Sequence, residues 1–132
     1  LEALGYEINV IPVADYMPLV SNGLITNEET IKNNPDLIRR MVQATLSGIR
    51  YTTQHTTPAF EISKDYVEGL DGADTHVQWQ VLERSVMLYK QDDLGISDLQ
   101  AWENMQQVLL DMGMLSSPLD LGAAFTNDFI EE

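Results

Sequence analysis

The sequence predicts a mostly helical unit of about five helices, with one pair of short strands near its N-terminal end. Two kinds of signal predict the helices: capping residues followed by proline or an acid, and apolar side chains that recur at helical spacing. Alternation of apolar and polar residues over YEINVIPV (6–13) predicts the first strand. Because a lone strand pair is marginal in water, we expect partner strands from a second copy or from sequence upstream.

Composition and charge exclude several classes of function. The chain has 132 residues, 44% of them apolar and 21% charged, which is typical of one globular domain with a modest core. Its 21 acidic residues against seven Lys and Arg give a net charge of −14, which argues against nucleic acid and anionic membranes as partners. The absence of cysteine excludes disulfides, thiolate catalysis and Cys-ligated zinc.

The N-terminal 26 residues are predicted to be extended after a short helical start. LEAL (1–4) has the pattern of a last helical turn, which Gly5 would end. Pro12 has no amide donor, so the first strand should end at a sheet edge. ADYMPLVSNG (14–23) is predicted to be a loop, and GLIT (23–26) the second strand.

Start and stop signals delimit the first three helices. Asn27, followed by two acids, begins a short helix, NEETIKN. Asn34-Pro35-Asp36 begins a longer one that should run to about His55. Thr57-Pro58 repeats the pattern of a capping residue followed by proline and begins the third helix, AFEISKDYV. The predicted buried stripe of the second helix consists of Leu37, Ile38, Met41, Val42, Thr45 and Ile49.

Two further helices and a tail complete the prediction. Asp74 or Thr75 starts the fourth helix, while Ser97 with Gln100 forms a capping box that starts the fifth, which Gly113 ends. Trp102 lies on the apolar stripe of the fifth helix and is expected in the core. The tail should end in an amphipathic segment that docks Phe125, Phe129 and Ile130.

These features follow one another in an order that resembles a known family. A Gly-(apolar strand)-Asp-Tyr-x-Pro-Leu-x-x-Asn-Gly-Leu-Ile-Thr segment is followed by a short helix and then by Asn-Pro-Asp-Leu-Ile-Arg-Arg. This order resembles the substrate-binding proteins of ABC importers, type II periplasmic binding proteins, in the group for nitrate, sulfonate, taurine and thiamine-precursor pyrimidines. The residues that carry the resemblance are Gly5, Val10 to Val13, Asp15, Tyr16, Pro18, Leu19, Asn22 to Thr26, Asn34 to Arg40, Ala44, Thr45, Gly48, Trp102, Gly113 to Leu115 and Phe125 to Phe129.

The resemblance implies an α/β family fold of two lobes around a cleft, of which this chain is the C-terminal portion. Residues 1–13 would end the second lobe, 14–26 would cross between the lobes, and 27–132 would be helices of the first lobe. Upstream sequence would then supply most of the first lobe's sheet. This accounts for a chain that starts without Met and apparently within a helix.

The segment from 14 to 26 contains the candidate ligand-binding residues, at a position that faces the cleft in such proteins. A carboxylate beside an aromatic ring, as at Asp15 and Tyr16, can accept from a ligand N–H while the ring stacks on the ligand. In the alternative, Asp15 only caps its own loop, and Asn22-Gly23 is only turn chemistry. The candidate ligand-binding residues are Asp15, Tyr16, Met17, Ser21 and Asn22.

The charges near these residues favour one class of ligand. Between Tyr6 and Thr26 the charged groups are Glu7 and Asp15, both acidic. A nitrate or sulfonate ligand would require a cation or a helix N-terminus. We therefore favour a neutral or partly cationic heteroaromatic ligand, such as a pyrimidine. No catalytic constellation, metal site or cofactor motif is evident, and we expect none.

Three functions are compatible with these patterns. The leading one is the solute-binding component of an ABC importer, with a small-molecule ligand, a membrane permease as partner and an extracytoplasmic, periplasmic location, where an upstream segment could carry a lipid anchor. An alternative is a free-standing helical interaction domain that dimerises through the exposed edge of its strand pair. A third is an enzyme of thiamine-pyrimidine synthesis, which upstream cysteines would support.

Overall fold

The computed structural model describes residue 1 and residues 5–70, 72–90 and 93–130. Its five α-helices are α1 (Glu28–Asn33), α2 (Pro35–Gln54), α3 (Thr56–Lys64), α4 (Thr75–Tyr89) and α5 (Leu99–Asp111), with short 3-10 turns at Val13–Asp15 and Leu121–Ala123. The predicted helical character is thus confirmed. The helical turn predicted at LEAL falls mainly on residues 2–4, which lie outside the described residues.

The predicted strand pair is wrong, because none of the described residues forms a strand. Residues 6–12 and 17–26 form neither helix nor strand, and several of their apolar side chains face solvent: Val10 is 71% exposed, Ile11 73% and Ile25 99%. Extended backbone becomes a strand only when a neighbour completes its hydrogen bonds. Since no strand forms among the described residues, the predicted self-association through a strand edge loses its basis.

Side-chain caps begin three of the helices. Asn27 Oδ1 accepts from the Thr30 N–H at 2.7 Å at the start of α1, as predicted. Asp74 Oδ1 accepts from the amides of both His76 and Val77, at 2.9 and 3.2 Å, and so begins α4. The cap of α5 is Asp98, which accepts from Gln100 N, and not Ser97 as predicted.

The start of α3 and the end of α5 do not use a side-chain cap. Helix α3 starts at Thr56, one residue before the predicted cap Thr57, and its N-cap residue His55 makes no side-chain cap bond. Helix α5 ends as predicted at Gly113, whose φ of +70° is left-handed. Its N–H donates to Leu110 O and the next amide, Met114 N–H, donates to Leu109 O. This is the Schellman arrangement, which satisfies the last helical carbonyls.

The chain divides into two compact units. The first comprises Leu1–Asn9 and Ala44–Leu94. In it α3 packs on α4, and the ring of Phe60 meets that of Trp79 edge to face at 5.5 Å. Leu46, Phe60 and Val86 are its buried apolar residues among those described, with 4 to 6% of their surface exposed.

The second unit comprises Val10–Gln43 and Gly95–Glu132, and its tail docks on α5. The ring of Phe125 stacks on Trp102 with centroids 5.2 Å apart and an interplanar angle of 3°. Asn127 accepts from Ser97 N–H and donates to Ser97 O, both at 2.9 Å. The predicted docking of Phe125, Phe129 and Ile130 is confirmed by their partial burial. Trp102 is half-buried, less than predicted.

Helix α2 follows its predicted buried stripe only in part, since four of the six predicted residues are half-buried: Ile38, Val42, Thr45 and Ile49. Leu37 is 51% exposed and Met41 57%, while Leu46, outside the predicted stripe, is buried. Helical spacing puts apolar side chains on one face, but burial also needs a neighbouring element over that face. None of the described helices has the combination of length and apolar character that crossing a bilayer requires.

We expect Asp74→Ala to destabilise the chain by about 1 kcal/mol, because two amides of the first turn of α4 lose their acceptor. The melting temperature, followed by circular dichroism, should fall by about 4 °C. Glu83→Ala, an exposed change within the same helix, is the matched control. Equal melting of the two variants would contradict the assigned cap.

We expect Phe60→Ala to lower the free energy of unfolding by about 3 kcal/mol or more, because it opens a cavity beside Trp79. Urea unfolding followed by Trp fluorescence measures this change. Ile62→Ala, which removes a 49% exposed side chain from the same helix, should change it by well under half as much. If the control is as damaging as Phe60→Ala, Phe60 is not the central side chain of this unit.

Candidate functional site

The candidate ligand-binding residues begin on a tight backbone turn. Pro12, with φ −73° and ψ 106°, leads into the 3-10 turn Val13–Asp15. The amides of Tyr16 and Met17 both donate to Val13 O at 3.0 Å. Two bonds to one carbonyl hold Asp15, Tyr16 and Met17 in a compact arc, and Ser21 and Asn22 follow outside any helix or strand.

All five candidate side chains are exposed. Tyr16 is 79% exposed and Met17 38%, and Asp15, Ser21 and Asn22 also face solvent. Within the described part of the chain no backbone amide donates to the Asp15 carboxylate, so the alternative in which Asp15 caps its loop lacks its hydrogen bond. The carboxylate and the phenol ring are thus available to a ligand. That these residues bind one stays a prediction.

A contact from α5 anchors the middle of this segment. Asn104 Nδ2 donates to the Pro18 carbonyl at 2.9 Å, and Leu19 and Val20 beside it are half-buried. Gln100 Nε2 in turn donates to Asn104 Oδ1 at 3.2 Å. No sequence pattern singled out Asn104, because its partner lies 86 residues away. The only signal available was a polar side chain in a helix of strong apolar periodicity.

The local charge is acidic and sparse. Over residues 6–26 the charged side chains are Glu7 and Asp15. Among the described residues, no group of three or more His, Asp or Glu side chains is placed to hold a metal ion. His76 shares a 3.0 Å contact with Gln80, and the His55 ring lies 4.9 Å from that of Tyr51. Both histidines are exposed, as expected of surface residues.

A separate open groove lies within the first unit. It is formed by the junction of α2 and α3, by one side of α4 and by Ile8 near the N-terminus. Its lining includes His55, Pro58, Trp79 and Gln80. None of the five candidate residues belongs to it, so groove and candidate site are distinct features of the chain.

Comparison with known proteins identifies the family. The family described as NMT1/THI5 like matches residues 1–59, a range that includes all five candidate residues. The riboflavin-binding protein RibY of Chloroflexus aurantiacus is 33% identical over 135 residues, which cover 98% of this chain and 38% of RibY. The chain therefore spans well under half the length of this relative. No solved structure matches the chain.

These matches agree with the resemblance drawn from the order of the motifs. The matched family and the relative, which is named for binding a small molecule, support a solute-binding role. They point to a binding protein and not to an enzyme, which confirms that expectation and disfavours the reading as a pyrimidine-synthesis enzyme. The family that the comparisons support for this chain is the NMT1/THI5-like family of substrate-binding proteins.

Proposed function

We propose that the chain is part of the solute-binding component of an ABC importer, and that it binds a neutral heteroaromatic ligand of the flavin class. The observation that carries the proposal is an exposed Asp15-Tyr16 pair, in a segment without cations, in a chain 33% identical to a riboflavin-binding protein. Riboflavin is neutral and planar. Its pyrimidine-like ring satisfies the ligand class that the charges of the segment favour.

The chemistry of riboflavin matches the candidate side chains one by one. Its ring system offers a flat face on which the Tyr16 ring can stack, and Met17 adds a polarisable contact beside it. Its imide N–H is a donor that suits the Asp15 carboxylate, which has no donor from the backbone within the described residues. Ser21 and Asn22 could exchange hydrogen bonds with the ribityl hydroxyl groups.

Capture would proceed by closure of two lobes on the ligand. In this proposal residues 14–26 form one crossing segment between the lobes, and the helices that follow belong to one lobe. The closed form would dock on a membrane permease. An importer of this kind works outside the cytoplasm, so a periplasmic or extracytoplasmic location, with or without a lipid anchor, is part of the proposal.

We expect Tyr16→Ala to weaken riboflavin binding about tenfold or more, because the stacking face is lost. Quenching of riboflavin fluorescence on titration with the intact protein measures the affinity. Tyr66→Ala is the matched control, since Tyr66 is 82% exposed and lies in the first unit. Tyr16→Phe should retain most of the affinity. Loss of the same size in the Tyr66 variant, or no binding by the unaltered protein, would refute the proposal.

We expect Asp15→Asn to weaken riboflavin binding about tenfold, because a charge-assisted acceptor for the imide N–H is replaced by a neutral one. Glu7→Gln, which removes the same charge from the same cation-free stretch, should leave the affinity unchanged. Isothermal titration calorimetry compares the two variants. Excess nitrate or taurine should not displace riboflavin, and displacement would favour the oxyanion alternative.

A further inference from the structure

The structure connects the candidate segment to α5 through one side chain that the sequence did not mark. Asn104 Nδ2 donates to Pro18 O at 2.9 Å, and Pro18 lies between Met17 on one side and Ser21 and Asn22 on the other. Both partners belong to the second unit. This hydrogen bond therefore joins the middle of the candidate segment to a helix within the same compact unit.

A second hydrogen bond selects the orientation of the Asn104 amide. Gln100 lies one turn earlier on α5, and its Nε2 donates to Asn104 Oδ1 at 3.2 Å. With its oxygen engaged by Gln100, the amide presents its amino group to the Pro18 carbonyl. Gln100 is itself at the start of the helix, where its N–H donates to Asp98 Oδ1 at 3.1 Å. The arrangement is thus built on the capped first turn of α5.

The helix propensity of asparagine does not explain its presence at position 104. Asn is among the weaker helix formers, and Ala in its place would favour the helix. The residue contributes instead through its bond to a carbonyl 86 positions away in the sequence. Replacement of Asn104 by Ala should therefore make the segment less ordered while it leaves α5 as stable as before or more stable. This contrast makes a positioning role testable.

The backbone between Val13 and Pro18 is stiff, so that the bond at the Pro18 carbonyl also restricts the residues before it. Proline fixes its own φ, and it restricts the residue before it, Met17, to extended conformations. The amides of Met17 and Tyr16 are both bonded to Val13 O. Anchoring the Pro18 carbonyl therefore leaves few free dihedral angles between Val13 and Pro18, which lowers the entropy lost when a ligand orders the segment.

We propose that Asn104 is a positioning residue for ligand binding: it holds the Asp15–Met17 arc and the Ser21–Asn22 stretch in their binding arrangement through the Pro18 carbonyl. The ligand part of this inference rests on the proposed function, whereas the ordering of the segment does not. Asn104 itself touches no ligand in this proposal.

The test compares Asn104→Ala and Asn104→Asp with Gln107→Ala. The last is a matched control because Gln107 Nε2 donates to Asp111 Oδ1 on the same helix, at 2.8 Å, without contact to the segment. The Asp variant keeps the size of the side chain and the acceptor for Gln100, but it turns a carboxylate towards a carbonyl. Three quantities are measured on each protein: the melting temperature of the helical signal, the backbone order parameters at Met17, Leu19 and Val20, and the affinity for riboflavin.

We expect Asn104→Ala to melt no lower than the unaltered protein. Its order parameters in the segment should fall from about 0.85 towards 0.6, and riboflavin affinity should drop about fivefold, mostly through faster dissociation. Asn104→Asp should lower affinity on the order of tenfold, because it leaves the carbonyl facing a negative charge. Gln107→Ala should match the unaltered protein in order parameters and affinity.

The outcomes separate this inference from the proposed function. Unchanged order parameters in both Asn104 variants would overturn the positioning role. Lower order parameters with unchanged riboflavin affinity would overturn its connection to the ligand. If the unaltered protein does not bind riboflavin but the segment still loosens, the proposed ligand is wrong and the anchoring stands. Should Asn104→Asp fail to fold, Asn104→Ser, which shortens the donor beyond reach, replaces it.

Discussion

The stack of Trp102 on Phe125 fixes the C-terminal tail to α5. Three hydrogen bonds add to the attachment of the tail, two between Asn127 and Ser97 and one from Leu119 N–H to Gln106 Oε1 at 2.6 Å. The same helix holds the candidate segment through the bond from Asn104 to Pro18. An aromatic pair supplies much buried apolar area, and each backbone group satisfied by a side chain avoids a desolvation penalty. Tail and candidate segment are therefore held by separate contacts to one helix.

The residues proposed to bind ligand lie on exposed backbone that local turn geometry and one tertiary anchor hold in place. This combination suits a binding protein that closes on its ligand, because the site must accept the ligand from solvent before it is enclosed. The acidic, cation-free character of residues 6–26 limits which ligands such a segment can attract. A neutral heteroaromatic ring fits that limit, and an oxyanion would need a cation from elsewhere in the protein.

Large apolar side chains are exposed in several of the described parts of the chain. Val10, Ile11 and Ile25 in the extended segment, and Leu37 and Met41 on α2, are each more than half exposed. The chain covers 38% of the length of RibY. The predicted lobe boundaries at residues 13 and 26 stay a prediction.

Local chemistry by itself determined where most helices begin and end. Asn27, Pro35 and Asp74 start their helices where the sequence predicted, and Gly113 ends α5, because caps and left-handed turns involve atoms only a few residues apart. Asp98 caps α5 in place of the predicted Ser97, whose backbone N–H and carbonyl are both bonded to the distant Asn127.

Tertiary structure decided what depends on distant partners. The alternating pattern of residues 6–13 did not become a strand, since pairing needs a neighbouring strand that the described residues do not offer. Leu37 and Met41 are more than half exposed although helical spacing puts them on an apolar face, since burial also depends on how other elements pack. For the site, the sequence marked the exposed carboxylate and ring at Asp15 and Tyr16, but it could not reveal Asn104, because the carbonyl that gives this residue a role is brought to it only by folding.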